Sequence, residues 1–383
     1  MIGTARTIHA KAGRTLLIAG PASFQLMEGE ASVLGAPLDL SRNTVARGKQ
    51  TPIEIRTSSS FNIILGEEAS LEELDGSTIP LSWREAASAL AEIGECIAVV
   101  IGGADTGKTT LCTFLSNSLI LENRQVAIVD ADIGQTDLGP PTTMAAAEVT
   151  ACVANLSQVK PSERLFIGLT SPARAKGKVI RSIKRLVECH AKPGKAVIVN
   201  TDGWVEGDEA TLYKRQMLDE LQPNITLGIG GNDISSIFQA KNRTTLLVGS
   251  PDTIRERTRV DRKELRSLGY RKYLNGAFFR TLRLDGTRLR YCLASKDLDL
   301  EHIPPLQFEN MKGAIVGFLD ADGFLQEIGV LKDLVRSAKM VKVWSRISDT
   351  PSKIEIGDVK LNNEGRELGH LGNYDRAEAS RTY

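Results

Sequence analysis

Hydrophobic and polar positions change their rhythm along the chain. Up to about residue 80 the apolar residues come in short strand-like runs at 15–19, 31–34, 53–55 and 61–65. Gly20-Pro21, Glu28-Gly29-Glu30, Gly35-Ala36-Pro37 and the polar stretch 57–60 separate them. Closely spaced short strands with turn signals predict a small β-sandwich or barrel. No spacing there suits catalysis, so this region reads as a packing or partner-docking module. At Ser82 the period becomes helical: Ser82 is placed as an N-cap with Glu85 completing a capping box, ahead of Ala86, Ala87, Leu90 and Ile93.

From there strands and helices alternate. Strand-like runs occur at 97–101, 126–130, 165–169, 196–200, 225–229 and 245–248. Helical patterns lie between several of them, with Val179, Ile180, Ile183, Leu186 and Val187 in one and Leu212, Tyr213, Met217 and Leu221 in another. This alternation predicts an α/β core built on a doubly wound parallel sheet, with ligands at the carboxyl ends of its strands. Beyond about residue 273 strand signals return at 278–284, 289–293, 314–319, 340–344 and 353–356, and Asp285-Gly286 reads as a hairpin turn. Three domains are expected: a β-rich 1–80, an α/β core 81–273, and a β-rich 274–383 that ends in a loose polar tail from Gly372 to Tyr383.

The strand at 97–101, β-branched at four of five positions, runs into Gly102-Gly103-Ala104-Asp105-Thr106-Gly107-Lys108-Thr109-Thr110. The spacing G-x-x-x-x-G-K-T between a strand and a helix is that of a P-loop. Its glycines let backbone N–H groups turn toward phosphate oxygens, and the helix N-terminus adds partial positive charge. Lys108 would reach the β- and γ-phosphates, and the Thr109 hydroxyl would be a ligand of Mg²⁺. The chain is expected to bind a nucleoside triphosphate.

Composition narrows the setting. In 383 residues, 42% hydrophobic and 25% charged, no apolar run approaches a membrane span, so no membrane partner is expected. The first residues lack the apolar core of a signal peptide. Five scattered cysteines, never in C-x-x-C spacing, argue against a disulfide framework or zinc site and for a cytoplasmic location. The net charge of +1 gives no bulk attraction to nucleic acid, so such binding must come from local patches.

Further chemistry follows the P-loop. The strand at 126–130 ends in Asp130-Ala131-Asp132-Ile133-Gly134-Gln135. An acid about twenty residues past the P-loop lysine is where such proteins organise Mg²⁺. If the acceptor is a hydroxyl, one acid must take its proton, and Asp132 is selected for both roles. Two segments are basic: 174–195, with eight Lys or Arg against Glu188, and 255–272, with eight against three acids. About half of these residues suit a solvated helix face. Arg262 and Arg266, four apart, share a helix face and could reach one phosphate together. Trp204 in Asn200-Thr201-Asp202-Gly203-Trp204 is either a packed core residue or a stacking surface for a base, and Thr170 in Gly168-Leu169-Thr170-Ser171-Pro172 would clasp its other side.

Together these motifs, followed by Tyr270-x-x-Tyr273, resemble the polynucleotide 5′-hydroxyl kinases of RNA processing over about residues 83–276. That resemblance implies an ATP-dependent kinase acting on RNA or DNA 5′-hydroxyl ends, with Mg²⁺. It implies Asp132 as general base, Thr109 and Asp132 around Mg²⁺, and Lys108 on the transferring phosphate. Arg262 and Arg266 would be arginines of a lid at 255–273, and Gln135, Thr170 and Trp204 would hold the terminal nucleotide. Protein partners would dock on the N- or C-terminal β domain. The alternatives are a P-loop switch or assembly ATPase, and an ATP-binding scaffold without kinase activity. A GTPase is disfavoured, since no N-K-x-D motif follows the P-loop.

Overall fold

The computed structural model describes residues 5–230, 232–238, 244–254, 256–294, 297–298 and 305–371. The first part is all strand: β1 (Ala5–Ala10), β2 (Arg14–Ala19), β3 (Ala22–Glu28), β4 (Ala31–Val33), β5 (Ala36–Pro37), β6 (Arg42–Val45), β7 (Gln50–Ile55), β8 (Ser59–Leu65) and β9 (Ser70–Asp75). They form two sheets, ordered β1-β8-β3-β6 and β5-β4-β7-β2-β9. Alternation specifies them: in β7, Thr51, Ile53 and Ile55 are buried while Pro52 and Glu54 are half-buried. β1, β6 and β9 show no such signal because they carry few apolar residues.

The middle of the chain contains α1 (Leu81–Glu92), β10 (Cys96–Gly102), α2 (Lys108–Leu121), β11 (Gln125–Asp130), β12 (Thr143–Val149), β13 (Glu163–Phe166), α3 (Lys176–His190), β14 (Lys195–Asn200), α4 (Asp208–Leu221), β15 (Ile225–Ile229), β16 (Thr244–Val248) and α5 (Arg259–Leu274). Then follow β17 (Phe278–Arg283), β18 (Arg288–Tyr291), α6 (Pro305–Met311), β19 (Ala314–Leu319), β20 (Leu325–Val335), β21 (Met340–Ser345), β22 (Lys353–Leu361) and β23 (Glu367–His370). Among the described residues no helix is long and apolar enough to cross a membrane. The tail from Gly372 to Tyr383 and the basic-run residue Arg255 lie outside the described residues.

The chain divides into two compact units that do not follow three consecutive stretches. The first comprises Met1–Val129, Ala147–Lys160 and Val187–Glu256. It contains both N-terminal sheets and the strands ordered β11-β14-β10-β15-β16, in which β10 pairs parallel with β14 and β15, and β15 with β16. β10 is central and wholly apolar, so the chain end that leaves it at Gly102 is held on both sides. α2 carries Asn117, a fully buried amide that donates to the carbonyls of Leu34 and Val153 and accepts from the Val153 N–H.

The second unit comprises Asp130–Ala146, Pro161–Leu186 and Arg257–Tyr383. Its sheet is ordered β17-β21-β20-β19-β22-β18, with β23 added on β22. α5 presses Tyr270 and Leu274 into a core with Phe166, Ile315, Ile328, Val330 and Val359. Thr258 N-caps α5 and exchanges a capping box with Asp261, which gives the helix a defined start.

Three expectations are corrected. α1 begins at Leu81 after Pro80, and there is no Ser82–Glu85 capping box; the Ser82 hydroxyl instead accepts from the Gly249 N–H at 3.0 Å. β10, β14, β15 and β16 pair in parallel as expected, whereas β13 pairs antiparallel with β12, a strand whose residues Thr143-Met144-Ala145-Ala146-Ala147 give no strand signal. Asp285-Gly286 makes a turn but not a hairpin: β17 pairs with β21, while β18 pairs parallel with β22 at the other end of the sheet.

Candidate active site

In the first unit the site is a backbone cradle at the carboxyl end of β10. A Cβ added at Gly102 would meet the Ile229 carbonyl oxygen at 2.5 Å and Thr106 Oγ1 at 2.8 Å, so only glycine fits where the loop leaves the sheet. Asp105 at φ +56° and Gly107 at φ +97° turn the loop back, and Gly107 starts α2 with no side-chain cap. The first helical bond runs from the Leu111 N–H to the Gly107 carbonyl, leaving the amides of Thr109 and Thr110 ahead of the ladder. With no acid in the first turn, this helix start suits an anion.

Lys108 is 6% exposed and its Nζ donates to the Gly103 carbonyl, curling over the loop where phosphate oxygens would lie. Thr106 Oγ1 donates to the same carbonyl at 3.0 Å. Thr109 Oγ1 accepts from Asn200 Nδ2 at 3.2 Å, which ties the expected Mg²⁺ ligand to the end of β14. Among the described residues no group of three or more His, Cys, Asp or Glu forms a metal cage. The Thr109 hydroxyl fits a Mg²⁺ ion that takes most of its ligands from phosphate and water.

The loop after β14 backs this cradle. Asp202 is buried; it accepts from Tyr213 Oη at 2.8 Å and from the Trp204 N–H at 3.0 Å, and pairs with the fully buried Lys214 at 3.0 Å. That knot holds Gly203 against the P-loop, where a Cβ would come within 2.8 Å of the Ala104 nitrogen. Trp204 is half-buried, with its ring stacked on Tyr213 at 5.6 Å between centroids. One face of the indole is therefore packed, in line with the core reading of this residue.

In the second unit the two acids separate in role. Asp130 is fully buried, and its Oδ2 accepts from Thr136 Oγ1, the Asp137 N–H and the Leu138 N–H. Burial, with the charges of Asp137 and Asp132 nearby, pushes its carboxyl up to about 6. It is the organiser of the loop. Asp132 is half-buried, and its Oδ1 accepts from the N–H groups of Gly134 and Gln135 at 3.1 Å.

The same unit brings Gln135, Thr170, Arg262 and Arg266 around that loop. A Cβ on Gly134 would stand 2.9 Å from the Thr170 carbonyl oxygen, so glycine allows the two loops to touch. Gln135 Nε2 donates to the Arg262 carbonyl at 3.2 Å, linking the acidic loop to α5. Arg266, one turn on, is held by Glu367 of β23. Sequence reasoning missed Glu367, Tyr213 and Lys214, and the bond of the motif residue Asn200 to Thr109, since each acts through a contact between residues distant in the chain. A Lys at helical spacing after an Asp-Gly loop was the only signal for Lys214.

The basic run at 174–195 serves the fold more than solvent. Lys178 pairs with Glu355 at 2.8 Å, Arg174 with Asp358 at 2.8 Å, and Arg185 donates to the Asp322 carbonyl and covers the Phe324 ring. Lys195 is buried beside Glu148.

Residues 102–276 match the family described as mRNA cleavage and polyadenylation factor CLP1 P-loop. A polyribonucleotide 5′-hydroxyl-kinase of Pyrococcus horikoshii is 26% identical over 318 residues, covering 71% of this chain and 88% of its own. One from Methanocaldococcus jannaschii is 28% identical over 347 residues, covering 76% and 95%. The Clp1p of a Clp1p–Pcf11p complex superposes with a TM-score of 0.70 at 14% identity, covering 94% of this chain and 99% of that one, which is a likeness of fold. Residues 102–276 are thus similar to the CLP1 P-loop family, and most of the chain is similar to proteins named polyribonucleotide 5′-hydroxyl-kinase.

Proposed function

We propose that this protein is an ATP-dependent polynucleotide 5′-hydroxyl kinase that moves the γ-phosphate of ATP to the 5′-hydroxyl of RNA, and of DNA where its ends are offered. The observation that carries the reading is the cradle at residues 102–110, with Lys108 folded over it and Thr109 fixed by Asn200. The relatives named as polyribonucleotide 5′-hydroxyl-kinases supply the acceptor.

The P-loop amides and Lys108 hold the β- and γ-phosphates. Asp132, fixed by two backbone N–H groups through Oδ1, takes the proton of the 5′-hydroxyl as its oxygen bonds to the γ-phosphorus and the bond to ADP breaks. Mg²⁺ on Thr109 and Asp132 would spread charge between the phosphates. Arg262 and Arg266 offset charge on the migrating group, a contribution of roughly 10³–10⁵ in rate. Gln135, Thr170 and Trp204 hold the terminal nucleotide. Work in the cytoplasm, and protein partners on the β-rich parts, belong to the same proposal.

The test is transfer of label from γ-labelled ATP to 5′-hydroxyl oligonucleotides, with and without Mg²⁺. Labelled 5′ ends are expected. ATP hydrolysis without any labelled end would replace this reading with the switch ATPase, and nucleotide binding with neither would leave the scaffold.

A further inference from the structure

The C-terminal sheet carries a surface that the reaction does not use. β17 is an edge strand, paired antiparallel with β21 so that Phe279 stands opposite Trp344, Thr281 opposite Lys342 and Arg283 opposite Met340. Partners directly opposite in an antiparallel pair share a face. That face presents Phe279, 70% exposed, beside a half-buried Trp344, with Arg283 and Lys342 exposed further along. The Lys332 ammonium lies 5.6 Å from the centroid of the Trp344 ring.

Charge distinguishes this face from an ordinary apolar edge. Residues 271–283 hold four Lys or Arg and no acid, and residues 332–346 hold five against Asp333 alone, an excess of +8 in the segments around this edge, of which Arg283 and Lys342 lie on the strand face itself. Arg346 is offset by Glu327 at 3.0 Å, but the pairs of the two cations on the face are long: Arg283 to Asp285 at 3.7 Å and Lys342 to Asp333 at 3.8 Å, on exposed side chains. Such pairs contribute little and yield readily to a phosphate. Exposed aromatic rings alternating with cations on a sheet are the means by which proteins hold single strands. A protein-docking edge has no need of the charge.

The face is also tied to the lid helix. Tyr273 of α5 and Trp344 pack against the same core cluster, and Trp344 Nε1 donates to the Ala277 carbonyl at the end of α5. Arg266 and Tyr273 are seven residues apart on that helix, about 10 Å along its axis.

We propose that the β17–β21 face binds the single-stranded body of the RNA, one base stacked on Phe279 and the backbone running over Arg283 and Lys342. This rests on the kinase reading for the identity of the strand, but not for its measurement.

The experiment is fluorescence anisotropy of a labelled 5′-phosphorylated 20-nucleotide RNA, which binds without reacting, on the full chain at several salt concentrations. Phe279→Ala should weaken binding roughly 5- to 150-fold, the range for one stacked base. Arg283→Ala with Lys342→Ala should flatten the salt dependence by about 0.7 for each phosphate that the protein no longer neutralises. The circular dichroism spectrum and thermal midpoint should stay those of the wild type in all variants. Wild-type affinity and salt slope in the variants would overturn the proposal; their loss of self-association on a sizing column instead would give the face to a protein. If wild-type protein binds the 20-mer through this face yet labels no 5′-hydroxyl end, the kinase reading falls and the RNA-binding face stands.

Discussion

Arg266 on α5 and Glu367 on β23 grip each other at two points, Nε to Oε2 at 2.6 Å and Nη2 to Oε1 at 2.8 Å. The carboxylate is 2% exposed and the arginine 15%, so this is a desolvated pair in which each charge needs the other. It occupies one edge of the guanidinium and fixes the plane of the whole group, leaving the Nη1 edge for an incoming phosphate.

Glu367→Ala is expected to destabilise the protein by about 3 kcal/mol, because it strands a largely buried guanidinium. A urea titration reads this as a lower midpoint. Glu367→Gln keeps the shape and one acceptor, so it should fold nearly as well while kcat falls and oligonucleotide KM changes little. An unaltered kcat in the Gln variant would show that the orientation of Arg266 does not matter to transfer.

Asp132→Asn should abolish transfer and spare the fold, since the amide oxygen still accepts from the Gly134 and Gln135 N–H groups. Asp130→Asn can place its carbonyl oxygen where Oδ2 accepts three bonds, so a slowed but active enzyme is expected. Single-turnover rates with γ-labelled ATP compare the two. An active Asp132→Asn beside a dead Asp130→Asn would reverse the assignment.

The buried Asp130 also predicts a pH signature. Its carboxyl is pushed up from 3.8 to about 6, so between those values the folded protein holds a proton that the unfolded chain has released. Stability contributed by this residue is therefore full below about pH 4 and lost as pH rises toward 6. Asp130→Asn should remove that slope. Thermal midpoints of the two proteins, compared between pH 4 and 7, should converge on the alkaline side only if the assignment is wrong.

Gly203→Ala tests the support behind the P-loop without altering the motif. The added methyl would lie 2.8 Å from the Ala104 nitrogen and must push the loop or its own strand end aside. ATP affinity should drop at least about tenfold, or about 1.4 kcal/mol, with the circular dichroism spectrum unchanged. Wild-type affinity by calorimetry would mean that the loop yields freely.

Fold and site are legible in the sequence wherever local chemistry decides structure. The P-loop declares itself because each residue of G-x-x-x-x-G-K-T has a local task, and α3 because Val179, Ile180, Ile183, Leu186 and Val187 mark one buried stripe. β12 is invisible there since Ala145, Ala146 and Ala147 carry no strand preference, and its place is set by its neighbours. Leu212, counted in the apolar stripe of α4, is 68% exposed, while Lys214 two positions on is fully buried against Asp202. Hydrophobicity cannot foretell that exchange, because the partner is twelve residues away in a loop. Glu367 is hidden for the same reason at a distance of 101 residues.

Asn117 gives the N-terminal strands a meaning beyond docking. The helix that grips nucleotide keeps this amide in a dry socket whose wall is the carbonyl of Leu34. A shortened chain beginning at α1 would keep the two bonds to Val153 but lose the one to Leu34, at a cost of about 0.5–1.5 kcal/mol in the very helix the phosphates lean on. The first forty residues are thus a foundation rather than an accessory, and trimming them should loosen ATP before it disturbs anything nearer the RNA.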